Sequence, residues 1–191
     1  MTKLGVLASG QGSTLMAVHQ ACQNDILNAE VVAVISNVHN SGVAQYAQNQ
    51  SLPFLHVSNT ESAEKTDAHI VEFLTQHSVD WVLLLGYVKK IGAGCLRTFA
   101  GKIINSHPSL LPAYGGKGMY GKHVYSAILR NNERETGVTI HFVDSEYDSG
   151  QIIAQQAIDI QANDTVESLS TRVKIMEKKL LLATLAQLFA V

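Results

Sequence analysis

Short, β-branched apolar runs alternate along this chain with longer stretches of helical periodicity, and that alternation limits the possible fold more than any other feature. Runs at residues 4–7, 30–35, 54–57, 81–85 and 103–104 read as strands, with helical spacing over 15–22, 43–50 and 62–77 between the first four. In the last of those helical stretches Ile70, Phe73 and Leu74 share one face. A strand joined by a helix to the next strand is a βαβ unit, which is right-handed and builds a parallel sheet covered by helices. The run Trp81-Val82-Leu83-Leu84-Leu85 is apolar on both faces, as a central strand of such a sheet must be. The expected fold is α/β: a Rossmann-like, doubly wound, mostly parallel sheet flanked by helices, in a single domain over residues 1–191. After a helix at 122–130 the pattern changes. Residues 137–143 and 152–160 read as two strands with no long helix between them, and 166–189 as one long helix whose apolar C-terminal half packs across the sheet.

Sheets of this kind bind ligands beyond the carboxyl ends of their strands. The segment Ile103-Ile104-Asn105-Ser106-His107-Pro108-Ser109-Leu110-Leu111-Pro112 is a short strand that stops at a proline. If it is extended, Asn105 and His107 point to one face. That sets a neutral amide donor beside the side chain whose ordinary pKa lies nearest neutrality. The acidic turn Asp144-Ser145-Glu146-Tyr147-Asp148-Ser149-Gly150 can supply a carboxylate that orients His107 and raises its pKa, and spacing alone does not choose among Asp144, Glu146 and Asp148. Amide, imidazole and carboxylate together suit acyl-type transfer through an oxyanion. His19, His39, His56, His69 and His77 lack any such setting. With no HxH, HExxH or Cys/His cluster, no metal site is expected.

The turn after the first strand, Ser9-Gly10-Gln11-Gly12-Ser13-Thr14, joins glycines to a helix start, where free N–H groups favour an anion such as phosphate. It is not a dinucleotide fingerprint, because Leu15 takes the third glycine position and the second strand ends in Ser36-Asn37 rather than an acid. The plainer reading is a tight connection in which Ser13 or Thr14 caps the helix. Residues 113–121 hold four glycines and suit a mobile loop over a cleft.

Composition removes several classes of function. Charged residues make up 16% and net charge is −2, so neither a nucleic-acid surface nor a disordered acidic tail is expected. Cys22 and Cys95 lack CxxC spacing and read as free thiols. Residues 1–7 enter a strand without a signal-peptide layout, and no apolar run approaches the roughly 18 residues that span a membrane. A soluble protein of a reducing, cytoplasmic compartment is expected.

Read together, these motifs resemble the glycinamide ribonucleotide transformylases, the folate-dependent phosphoribosylglycinamide formyltransferases of de novo purine synthesis. The resemblance runs from Leu4 through the final helix and is strongest over Asn105-Ser106-His107-Pro108-Ser109-Leu110-Leu111-Pro112, then over His141-Phe142-Val143 and the turn that follows. It implies transfer of the formyl group of 10-formyltetrahydrofolate to the amine of glycinamide ribonucleotide, with Asn105, a protonated His107 and Asp148 catalytic. It also implies that Gly12, Ser13 and Thr14 bind the substrate phosphate and Glu177 the ribose. The folate would lie along Val88, Lys89, Lys90 and Ile91, with Asn105 also touching it. Small molecules would be its only substrates, with no nucleic acid, membrane or metal, and a homodimer is left open. Three positions depart from the common pattern: Thr14 replaces an asparagine, Lys89 an arginine, and Gly115-Gly116-Lys117-Gly118-Met119-Tyr120-Gly121 a Pro-Gly-x-His arrangement. The alternative is a formyltetrahydrofolate hydrolase, which shares the same three residues. Those enzymes usually carry an N-terminal regulatory domain, whereas Leu4 begins the catalytic pattern at once.

Overall fold

The computed structural model describes residues 1–190. Seven strands form one sheet: β1 (Thr2–Leu7), β2 (Ala29–Ser36), β3 (Phe54–His56), β4 (Trp81–Leu84), β5 (Ile103–His107), β6 (Glu135–Phe142) and β7 (Ile152–Asp159). Their spatial order is β3-β2-β1-β4-β5-β6-β7. β1 to β5 are parallel, while β6 runs antiparallel to both β5 and β7. The sheet therefore grows one way through β2 and β3, then reverses at the β1/β4 junction, and a crevice opens beyond the carboxyl ends where it reverses. The expected α/β architecture is the one observed.

The helices are α1 (Ser13–Gln23), α2 (Gly42–Asn49), α3 (Ala63–Gln76), α4 (Ala93–Thr98), α5 (Lys122–Arg130) and α6 (Val166–Leu188). Strand alternation divides the core in two. Leu83 of β4 and Ile104 of β5 face one layer, with Leu15 and Val18 of α1, Val43 of α2, Val124 and Ile128 of α5, and Leu181 and Leu185 of α6. Val82 and Leu84 of β4 and Ile103 of β5 face the other, with Ile70 and Leu74 of α3 and Cys95 of α4. A period of two thus sends neighbouring residues of one strand into opposite cores. Helix α6 packs against β6, β7, α1 and α5, as its apolar second half leads one to expect.

Cys95 lies in a helix-like stretch of the sequence, and that stretch is α4. It is six residues long, and flanking or internal Gly92 and Gly94 break its pattern. Its first N–H groups are capped from another helix: Gly94 N donates to Asp67 Oδ2 at 2.6 Å and Cys95 N to Asp67 Oδ1 at 3.1 Å. Glycine at 92 and 94 lets that carboxylate approach, since a Cβ at either position would collide with it.

Candidate active site

Gly12, in the left-handed region at φ 79°, is itself the N-cap of α1, so Ser13 and Thr14 are its first two residues and not its caps. Ser41, Ser62 and Thr165 cap α2, α3 and α6 by accepting from the backbone, but no side chain among the described residues does this for α1. Its leading N–H groups are left for water or an anion. The turn before it is held rigidly. Val43 N donates to Gly10 O at 3.3 Å, Ser9 Oγ donates to Asn37 Oδ1 at 2.5 Å, and Val88 N donates to Ser9 Oγ at 3.1 Å. Ser9 therefore ties together the carboxyl ends of β1, β2 and β4.

At the end of β5, Asn105 and His107 lie on one face and meet the 144–150 turn. Asn105 Nδ2 donates to Asp148 Oδ1 at 3.3 Å, and His107 Nδ1 lies 3.5 Å from the same oxygen. The other two acids of the turn do other work. Asp144 Oδ1 accepts from Glu146 N and Ser149 Oγ and closes the turn on itself; Glu146 sits 4.0 Å from Lys90 Nζ. Asp148 is the acid brought to His107, at a left-handed φ of 54° that points it inward.

His141 completes the cluster, and the sequence reading did not single it out as a site residue. The antiparallel register pairs it with Asn105, just as Thr139 pairs with His107. His141 Nδ1 donates to Phe142 O at 2.8 Å, which leaves Nε2 to accept from Asn105 Nδ2 at 3.0 Å. The available signal was its place seven residues before Asp148, within the second resembling segment.

Asp148 raises the His107 pKa as expected, but burial works against it. Burial pushes the pKa of His107 down further than the Asp148 charge and the Tyr114 carbonyl push it up, with His141 also lowering it, so it ends below its ordinary 6.5. Burial therefore makes the His107 ring harder to protonate than a free imidazole, while Asp148 beside it works in the other direction. Its Nε2–H donates to Tyr114 O at 2.8 Å. Burial also opposes the charge on Asp148, but the neighbouring His141 and His107 rings and the Gly116 N–H outweigh it and hold the carboxyl below its ordinary 3.8. Gly116 N donates to Asp148 Oδ2 at 2.8 Å, so the 113–121 segment closes over the cluster from one side.

A cleft of about 750 Å³ joins these parts. Gly12, Ser13 and Thr14 line it, as do Val88, Lys89, Lys90 and Ile91, and so do Asn105, His107, His141 and Asp148 together with Glu177. Lys174 and Tyr125 also line it and were not anticipated. Glu177 accepts from Ser106 Oγ at 2.8 Å, and burial raises its pKa above 4.5 against the lowering influence of Ser106, Lys174 and Lys178. The volume suits a substrate of drug size or larger. No group of three or more His, Cys, Asp or Glu side chains arranged to hold a metal occurs among the described residues.

An uncapped helix start and an amide–imidazole–carboxylate cluster line one cleft, and the chain belongs to the formyl transferase family, whose pattern matches residues 2–185. Within that family it is similar to the chloroplastic phosphoribosylglycinamide formyltransferase of Arabidopsis thaliana, at 42% identity over 93% of this chain and 62% of the relative. It is also 34% identical to the phosphoribosylglycinamide formyltransferase of Haemophilus influenzae, over 93% of this chain and 82% of that protein. The crystal structure of phosphoribosylglycinamide formyltransferase from Bacillus halodurans superposes with a TM-score of 0.92 at 34% identity, covering 99% of this chain and 96% of that one. The chain spans 62%, 58% and 60% of the length of three plant relatives.

Proposed function

We propose that this chain is a phosphoribosylglycinamide formyltransferase that moves the formyl group of 10-formyltetrahydrofolate to the primary amine of glycinamide ribonucleotide. The observation that carries the reading is the convergence of Asn105 and His107 on one oxygen of Asp148, at 3.3 and 3.5 Å, in a cleft that also holds the uncapped start of α1. The phosphate would take the N–H groups of Gly12, Ser13 and Thr14, and the ribose hydroxyls would meet Glu177. The folate would lie along Val88, Lys89, Lys90 and Ile91.

The amine attacks the formyl carbon, forming a C–N bond and a tetrahedral oxyanion. Donors preorganised for such an oxygen are typically worth about 3–4 kcal/mol each. Asn105 supplies one by exchanging an N–H from His141 or Asp148 to the oxyanion. His107 starts neutral and accepts the proton the amine loses, and the imidazolium so formed is stabilised by ionised Asp148. That proton then passes to the departing folate nitrogen as its bond to the formyl carbon breaks. No redox partner is consumed. Free Cys22 and Cys95 fit a reducing compartment such as the cytoplasm.

The test is to mix the protein with 10-formyltetrahydrofolate, with and without glycinamide ribonucleotide, and follow the deformylated folate. Turnover that depends on the amine supports the transferase. Turnover without the amine would assign a hydrolase instead. His107→Asn abolishes turnover while leaving ribonucleotide binding by calorimetry within a fewfold; equal loss of both would make His107 structural.

A further inference from the structure

His107 depends on a backbone carbonyl that the reaction itself does not involve. The Tyr114 carbonyl receives its Nε2–H at 2.8 Å, although Tyr114 sits at φ 56°, a left-handed conformation that non-glycine residues seldom adopt. Backbone of this kind persists only where its surroundings impose it. Here the imposing contacts are at the far end of the side chain. Tyr114 Oη donates to Glu133 Oε1 at 2.6 Å and accepts from Asn131 Nδ2 at 2.8 Å, both beyond the C-terminal end of α5. Burial first, then the Glu133 carboxylate, raise the phenol above its ordinary pKa, so it stays a donor. Neither Asn131 nor Glu133 lines the cleft.

We propose that Tyr114 is a positioning residue for His107: its phenol, pinned to Asn131 and Glu133, holds the Tyr114 carbonyl on His107 Nε2, keeping the ring proton there and Nδ1 turned to Asp148. A carbonyl only accepts, so this contact selects one tautomer of the neutral ring. It leaves Nδ1 as the one site for an incoming proton, next to the carboxylate that stabilises the charge. Two residues outside the cleft thereby govern which nitrogen of His107 can act. The kinetic part of this inference rests on the proposed transferase reading; the tautomer part does not.

The experiment measures ¹⁵N and ¹H shifts of the His107 ring, with kcat alongside, in the wild type, Tyr114→Phe and the double variant Asn131→Ala/Glu133→Ala. The double variant leaves Tyr114 intact, so it answers the question even if Tyr114→Phe fails to fold. The expected result is a wild-type ring in the Nε2–H form and mixed tautomers in both variants. A fall in kcat of about tenfold should accompany it, a small share of the roughly 10²–10⁴-fold that a positioned acid or base supplies. Glu133→Gln, which keeps an acceptor oxygen, restores the wild-type shifts. Unchanged His107 shifts in the double variant would overturn the proposal. Altered shifts in a protein with no formyl transfer would leave the tether standing and overturn the transferase reading alone.

Discussion

Ser106 sits between two residues of the proposed chemistry, yet its side chain points the other way. Alternation along β5 turns Asn105 and His107 toward Asp148 and sends the Ser106 hydroxyl to Glu177 at 2.8 Å. Ser106→Ala removes the donor that opposes the burial-driven rise in the Glu177 pKa. A hydrogen bond to a carboxylate is worth about 1.5 kcal/mol. The KM for the ribonucleotide should therefore rise about tenfold while kcat and the folate KM stay near wild type, in steady-state kinetics at pH 7.5. A fall in kcat alone would place Ser106 with the reacting groups instead. His141→Ala should act in the opposite sense, lowering kcat about tenfold with little change in either KM, because Asn105 loses the partner that holds its amide. At this scale the sequence motif identified Asn105 and His107 because the face of a strand is a local property. His141 and Tyr114 were not legible, since one arrives by antiparallel register and the other by a main-chain carbonyl.

Among the elements, α4 shows what a local pattern cannot fix. The stretch around Cys95 is helix-like, but six residues make less than two turns and the cap comes from Asp67 on α3. Asp67→Ala removes both contacts at once and should destabilise the fold by about 1–2 kcal/mol in a urea titration, in the range measured for helix caps. Because α4 follows directly on the segment 88–91 that lines the cleft, the same variant should also raise the folate KM. A loss of stability with an unchanged folate KM would mean that α4 does not set the position of that segment. The longer elements were legible because each carries enough residues to repeat its period and, for α6, a capping box of Thr165 and Ser168.

For the molecule as a whole, burying histidines in a two-layer core makes stability depend on pH. His19 and His107 both fall below their ordinary 6.5, in each case chiefly through burial. Below that value the unfolded chain binds protons that the folded chain refuses, so stability rises with pH across the interval and is lost as pH falls from 6.5 toward the folded values. Glu177, whose pKa burial raises above 4.5, acts in the opposite direction from 4.5 upward. The melting temperature by calorimetry should therefore be lower at pH 5.5 than at pH 7.5, with most of the difference removed in a His19→Gln/His107→Asn double variant. An identical melting temperature at both pH values would mean that the rings accept protons inside the fold.

The sequence by itself determined the doubly wound sheet, the order of its elements, the pairing of Asn105 with His107 and the glycine turn before α1. Each of these is written within a few neighbouring residues, as a period, a turn or an alternation. Tertiary structure decided which of three acids reaches His107, brought His141 opposite Asn105, capped α4 from another helix and set burial against the Asp148 charge at His107. Those outcomes depend on strand register, on backbone groups with no signature in the residue list and on burial, which exists only once both cores have closed.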